Sequence, residues 1–253
     1  MTVFLTRDAV DATGRNLRDE RKRVDHERDV QTLRECHESC PQLRDLWRED
    51  DTRHWIGVTW RDGRVTRLNL FNQGLSGSLP RLQGLTSLEI ANFPHNQLSG
   101  SIPEKLFEGL TSLRRVGLMY NKVSGLIPEN LFEGLTSLYS ADFRGNQLSG
   151  SIPEKLFKGL TSLKQVWLDR NPVSGPIPEK LFEGLTSLQK VWLHDNQVSG
   201  SIPEGLRGIF KLSECPPDQE DDTQRPARQP HTCLLYTSPS PRDMRRPRMP
   251  SSA

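Results

Sequence analysis

Cysteine is scarce in this chain, long apolar runs are missing, and charge of neither sign dominates. Four cysteines in 253 residues exclude the small disulfide-stapled class, which needs a dense and even set. No stretch approaches the ~20 consecutive apolar residues of a membrane-crossing helix. Lys and Arg total 34 against 32 Asp and Glu, a formal net charge of +2, so the overall charge gives no case for nucleic acid or an anionic membrane surface. No nucleophile–base pair, phosphate loop or metal-ligand set stands out either. No catalytic residue, cofactor or metal site is therefore assigned. The segment Cys36-His37-Glu38-Ser39-Cys40 has the atoms for a metal or a local disulfide, but a zinc site needs further ligands that are not evident nearby.

What the chain has instead is a 25-residue unit repeated almost word for word. Leu113–Ser137 reads LRRVGLMYNKVSGLIPENLFEGLTS, and the units starting at Leu138 and Leu163 follow the same pattern. The frame LxxLxLxxNxLSGxIPxxLFxGLTS starts at Leu88, Leu113, Leu138, Leu163 and Leu188, and a degenerate 23-residue version begins at Val65, giving six units. Self-similarity at this period marks a solenoid, in which each unit buries its apolar edge only against its neighbours. In Val116-x-Leu118, Ala141-x-Phe143, Val166-x-Leu168 and Val191-x-Leu193 apolar residues alternate with others, which fits short strands with one buried face. Identical crossovers make successive strands parallel. Phe107, Phe132, Phe157 and Phe182 are placed to stack inside the convex return.

These motifs, LSGxIPxxL above all, resemble the plant-type subclass of the leucine-rich repeat family over residues 65–212. The resemblance implies an α/β solenoid: a curved array with a parallel β-sheet on its concave side and 3₁₀ or short helical turns on its convex side. It also implies that Asn96, Asn121, Asn146, Asn171 and Asn196 bond backbone groups of adjacent coils as a ladder. Trp55–Val65 resembles the WxGVxC…GRV start of such domains, except that Trp60 stands where the family usually has cysteine. The paired-cysteine cap of secreted members is thereby put in doubt.

Four positions of the unit escape the consensus. Positions three, five, seven and eight face the concave side and differ from coil to coil, while the PEKLFEGLTSL segment barely changes. They include Arg115, Met119 and Tyr120 in the third unit, and Asp142 and Arg144 in the fourth. Trp167, Asp169 and Arg170 follow, then Trp192, His194 and Asp195. Trp167 and Trp192 occupy the same position in successive units, so their strands should lie about 4.8 Å apart with the indoles side by side. Aromatics rimmed by charge are typical of protein-binding hot spots. The competing reading is that the indoles shield the sheet from water. His194 reads as a surface histidine rather than half of a catalytic pair.

The flanks divide into a charged helical segment (1–31), an N-terminal cap (32–64), a linker or disordered stretch (213–232) and a tail (233–253). In the first, Arg18, Arg21, Lys22 and Arg23 mix with Asp19, Glu20, Asp25 and Glu27, as on a solvated helix face. Past the repeats, Cys215 falls in an apolar slot and reads as a small buried hydrophobe. Cys233–Asp243, CLLYTSPSPRD, resembles the translation of a transposase sequencing adapter, with outer primer sequence ending at Ala253. The alternative is a basic Ser-Pro tail. On the adapter reading the tail is non-native, the natural chain runs on beyond Thr232, and removing four arginines and one aspartate leaves a net charge of about −1.

The function expected is non-catalytic binding of a protein or peptide on the concave face by a monomer. The alternatives are the ligand-binding part of a receptor whose membrane span and kinase lie outside this segment, or a recruiting arm of an enzyme. An odd count of three cysteines before the tail, the missing cap cysteine and an N-terminus without an apolar core region point to a reducing, cytoplasmic setting, with an extracellular one as the alternative.

Overall fold

A computed structural model describes residues 17–48 and 52–200. The apolar slot expected at Cys215, the linker and the tail lie outside the described residues.

Helices α1 (Leu17–Ser39) and α2 (Gln42–Leu46) come first. Strands β1 (Val58–Arg61) and β2 (Arg64–Asn69) pair antiparallel. Thereafter short strands alternate between two faces: β3 (Ser76–Gly77), β4 (Ile90–Asn92), β5 (Gln97–Ser101), β6 (Arg115–Gly117), β7 (Lys122–Leu126), β8 (Ser140–Asp142), β9 (Gln147–Ser149), β10 (Gln165–Trp167), β11 (Ser174–Pro176), β12 (Lys190–Trp192) and β13 (Gln197–Ser199). Strand β1 and the even-numbered strands form one sheet in the order β1-β2-β4-β6-β8-β10-β12, parallel from β2 onward. This is a solenoid of about six turns.

The register repeats without slippage. Leu68, Ala91, Val116, Ala141, Val166 and Val191 align as one row, and the first five are at most 1% exposed. Period-two alternation puts this row inside and its neighbours on the open face.

Two features of the repeats add detail to the sequence expectation. The LSG segments form a second set of parallel strands, β3-β5-β7-β9 and β11-β13, which the apolar alternation did not mark. The convex returns, expected as 3₁₀ or short helical turns, hold no helix among the described residues. They are turns closed by i→i+3 bonds such as Leu106 N–H to Pro103 O (3.1 Å) and Leu110 N–H to Phe107 O (3.1 Å). The first is a 3₁₀-type bond, while the second closes over a glycine in the left-handed region, as in a type II turn; Gly109, Gly134, Gly159 and Gly184, at φ 75–79°, take a conformation that no right-handed helix accommodates. Beneath them Phe107, Phe132, Phe157 and Phe182 stack at centroid separations of 6.0, 6.0 and 5.8 Å.

The first coil is covered by the N-terminal segment. Helix α1 runs unbroken across residue 31, where a domain boundary was expected. Its Asp29 is fully buried and accepts from Arg64 Nε (2.9 Å), Arg64 Nη2 (3.0 Å) and the Val65 N–H (2.8 Å). Leu33 and Leu43 are also fully buried. Trp47 stacks on Trp55 at 5.4 Å, and Trp60, in the family's cysteine position, donates its indole N–H to Thr52 O at 3.0 Å. Cys36 and Cys40 are free thiols that donate to Arg81 O and Ser78 O, each at 3.2 Å. They thus join the helical segment to the first return by hydrogen bonds. Burial pushes both thiols up to about 12, with Cys40 adding to the effect on Cys36.

Candidate functional site

The open face of the seven-stranded sheet is held in place by the asparagine ladder. The Asn121 amide donates to Phe93 O in the preceding coil (2.9 Å) and to Leu118 O in its own (3.0 Å), while its Oδ1 accepts from the Leu98 N–H at 3.0 Å. Asn146, Asn171 and Asn196 repeat this triangle, and Asn96 Oδ1 takes two donors, Gln73 N–H and Leu75 N–H. Each amide satisfies turn groups that have no strand partner. The side chains projecting from the strands are thereby fixed at a regular spacing.

Position five carries Asn69, Asn92, Gly117, Asp142, Trp167 and Trp192. Trp167 and Trp192 are register partners whose rings stack at 4.7 Å and 6°. Both are half-buried. Lys190 Nζ lies 5.7 Å from the Trp192 ring centre and the Arg144 guanidinium 5.1 Å from that of Trp167, within cation–π reach. Arg144 is in turn held by Asp142 through Nε–Oδ1 (3.0 Å) and Nη2–Oδ2 (2.7 Å). The aromatic shelf is thus bracketed by two cations, one of them locked in orientation.

Position seven continues with Met119, Arg144, Asp169 and His194. Met119 is half-buried. Asp169, expected along the surface edge, is instead 3% exposed. Its Oδ2 lies 3.5 Å from His194 Nε2, and its Oδ1 makes no hydrogen bond. Burial pushes this carboxyl up, against the opposing pull of His194 and Arg144.

Position eight holds a constraint that the alignment of units does not display. Asn72, His95, Tyr120, Gly145, Arg170 and Asp195 all have φ between 50° and 64°. The column is left-handed throughout, a conformation that costs an L-residue roughly 1–2 kcal/mol. The available signal was composition: Asn72, Gly145 and Asp195 are types that tolerate it. Within this column Phe71, His95 and Tyr120 make successive ring contacts at 5.1 and 4.8 Å, Phe71 entering from position seven. Arg170 Nε lies 3.7 Å from Asp195 Oδ2.

Arg115, the remaining predicted residue, sits at position three. It is exposed and lies 5.8 Å from the Tyr139 ring centre, with Arg114 at 5.9 Å. The structure therefore gathers Asp142, Arg144, Trp167, Asp169, Trp192 and His194 into one contiguous patch. Tyr120, Arg170 and Asp195 form its trailing edge, and Arg115 stands on the opposite edge.

A family model described as Leucine Rich Repeat matches residues 187–209. The BIR2 ectodomain of Arabidopsis thaliana superposes with a TM-score of 0.50 at 30% identity, over 69% of this chain and 83% of that one. The chain belongs to the leucine-rich repeat family. Within that family its repeats are of the plant type. Receptor protein kinase WSS1 of Oryza sativa subsp. japonica is 38% identical over 79 residues, which is 30% of this chain. The leucine-rich repeat chain spans 8% of the length of that curated relative. The leucine-rich repeat ectodomain of the Arabidopsis receptor kinase HAESA, in complex with an N-terminally extended IDA peptide hormone ligand, matches with a TM-score of 0.53 at 26% identity, over 72% of this chain and 36% of that one. The fold is thus close to that of receptor-kinase ectodomains, which serve as binding modules.

Proposed function

We propose that this leucine-rich repeat chain is a non-catalytic module that binds a protein or peptide on its concave strand face, centred on Trp167 and Trp192. The observation that carries this reading is the parallel stack of the two indoles at 4.7 Å on an open sheet, bracketed by Arg144 and Lys190. A purely shielding role needs neither the bracketing cations nor the bidentate Asp142 that orients one of them. Large rigid aromatics with fixed charges beside them are what a recognition hot spot requires. The HAESA ectodomain, of the same fold, has a peptide as its ligand.

The test is panning of a phage-displayed dodecapeptide library against the full chain and against Trp167→Ala/Trp192→Ala. Enriched peptides should bind the parent chain and weaken at least 100-fold on the double variant, with unchanged circular dichroism. Equal binding to both would move the site elsewhere.

A second reading, favoured by the likeness to WSS1, is that the module is the ligand-binding part of a longer receptor. Genomic sequence on both sides of this segment tests it. A downstream apolar span followed by a kinase domain supports the receptor, and a stop codon soon after Thr232 supports a free-standing module.

A further inference from the structure

The charges of the concave face fall into two classes. Those at positions five to eight are engaged with one another: Asp142 with Arg144, Asp169 with His194, Arg170 with Asp195. Those at position three, and at position two just before each strand begins, are not. Arg67, Arg114, Arg115, Lys164 and Lys190 are all exposed, and none has a carboxylate partner among the described residues. The one acid of these two columns, Glu89, is taken by Arg61 at 3.1 Å. Tyr139 lies against the guanidiniums of Arg114 and Arg115, and the Trp192 ring lies against Lys190. These contacts steady the cations without neutralising them.

The opposite side has the other sign. The PExLFxG returns between residues 103 and 184 expose seven glutamates and four lysines. An anionic partner is therefore repelled from the convex side and drawn to this one edge. Charges already paired set the shape of the patch. Charges left over set what it attracts.

We propose that the partner of this face is an acidic peptide lying extended across the strands, its carboxylates on the strip from Arg67 to Lys190 and an apolar side chain on the Trp167–Trp192 shelf. This rests on the concave-face reading above and specifies its ligand class. Arg67 stands on β2 and Lys190 on β12, five strand steps apart. At about 4.8 Å per step the strip is roughly 24 Å long, the length of about seven extended residues. Within a column the cations stand two or three strands apart, roughly 10–14 Å, which suits carboxylates at every third or fourth residue. Five cations over roughly 24 Å are fewer than the about seven phosphates that one strand of a duplex presents over the same length.

The experiment takes the peptides enriched by panning and measures fluorescence-polarisation affinities for the full chain, for Arg115→Glu/Lys164→Glu and for Trp167→Ala/Trp192→Ala. A twenty-residue oligothymidine serves as the competing polyanion. Enriched peptides should hold at least three Asp or Glu within seven residues. Their affinity should fall at least tenfold between 50 and 300 mM NaCl, and at least 30-fold on charge reversal at fixed salt. Enrichment of neutral or basic peptides, with affinity untouched by Arg115→Glu/Lys164→Glu, overturns this inference and leaves the concave-face reading standing. Tighter binding of oligothymidine than of any peptide, lost on charge reversal, overturns it in favour of nucleic acid. Failure to enrich any peptide sinks both readings.

Discussion

The Tyr120 hydroxyl accepts a hydrogen bond from Arg170 Nη1 at 2.9 Å although the two residues belong to coils two repeats apart. The bond bypasses the intervening coil, and Gly145 makes this possible. A Cβ on Gly145 would stand 2.6 Å from Tyr120 Cδ1, so the ring lies across the glycine to reach its partner. In an array where coils usually contact only their neighbours, this is a next-nearest-neighbour link.

Gly145→Ala should therefore cost about 1–3 kcal/mol, from left-handed strain and the displaced ring. Adding Tyr120→Ala should remove the steric part and leave the backbone part. A double-mutant cycle by urea denaturation checks this, and strict additivity of the two changes would contradict the contact.

Phe157→Ala removes a ring 1% exposed that stacks on both neighbours at 6.0 and 5.8 Å. A loss of about 3–5 kcal/mol is expected, read as a lowered denaturation midpoint. Affinity for any panned peptide should not change at temperatures where the variant stays folded, because the ring lies on the side away from the indoles.

Asp29→Ala should destabilise the N-terminal end by about 1–3 kcal/mol, because it leaves the buried Val65 N–H without its acceptor and leaves Arg64 with only Asp25 at 3.6 Å and the Thr86 hydroxyl at 2.9 Å. Asp29→Asn keeps an acceptor for Val65 and should recover part of the loss. Hydrogen exchange at Val65 is the specific readout. Unaltered protection there in Asp29→Ala would refute the role assigned to the carboxylate.

The thiols of Cys36 and Cys40 predict alkaline sensitivity. Their folded pKa of about 12 exceeds the ordinary 9.0. The native state therefore keeps protons that the unfolded chain releases, so stability is full below about pH 9 and falls as pH rises from 9 towards 12. At pH 8 both should resist iodoacetamide in the native protein and react in guanidinium, with peptide mapping to distinguish them from the other two cysteines. Rapid native labelling of either would show that the helices do not hold them as described.

Much of the fold was legible because one period governs everything. The 25-residue spacing alone puts Val116, Ala141 and Val166 in one buried row and places Trp167 beside Trp192. What those indoles bind does not follow from spacing. The antiparallel β1–β2 pair and the second strand set were not legible either, since both arise from backbone pairing that leaves no apolar alternation: β11, for example, is Ser174-Gly175-Pro176. The depth of Asp169 was hidden for a similar reason. Position seven looks exposed by alternation, yet Asp169 is 3% exposed, with His194 Nε2 of the next coil 3.5 Å from its carboxylate. The Tyr120–Arg170 bond depends on a missing Cβ at Gly145, a three-residue coincidence that no single column records.

The left-handed turn shared by position eight in all six coils narrows the alphabet in which this surface is written. Columns three, five and seven carry no such backbone restriction for anyone regrafting the scaffold towards a new target. The eighth should be held to glycine, asparagine, aspartate, or a side chain that earns its strained place by bridging coils, as Tyr120 does. A library randomised at all four would consist mostly of members that fold poorly before they bind anything.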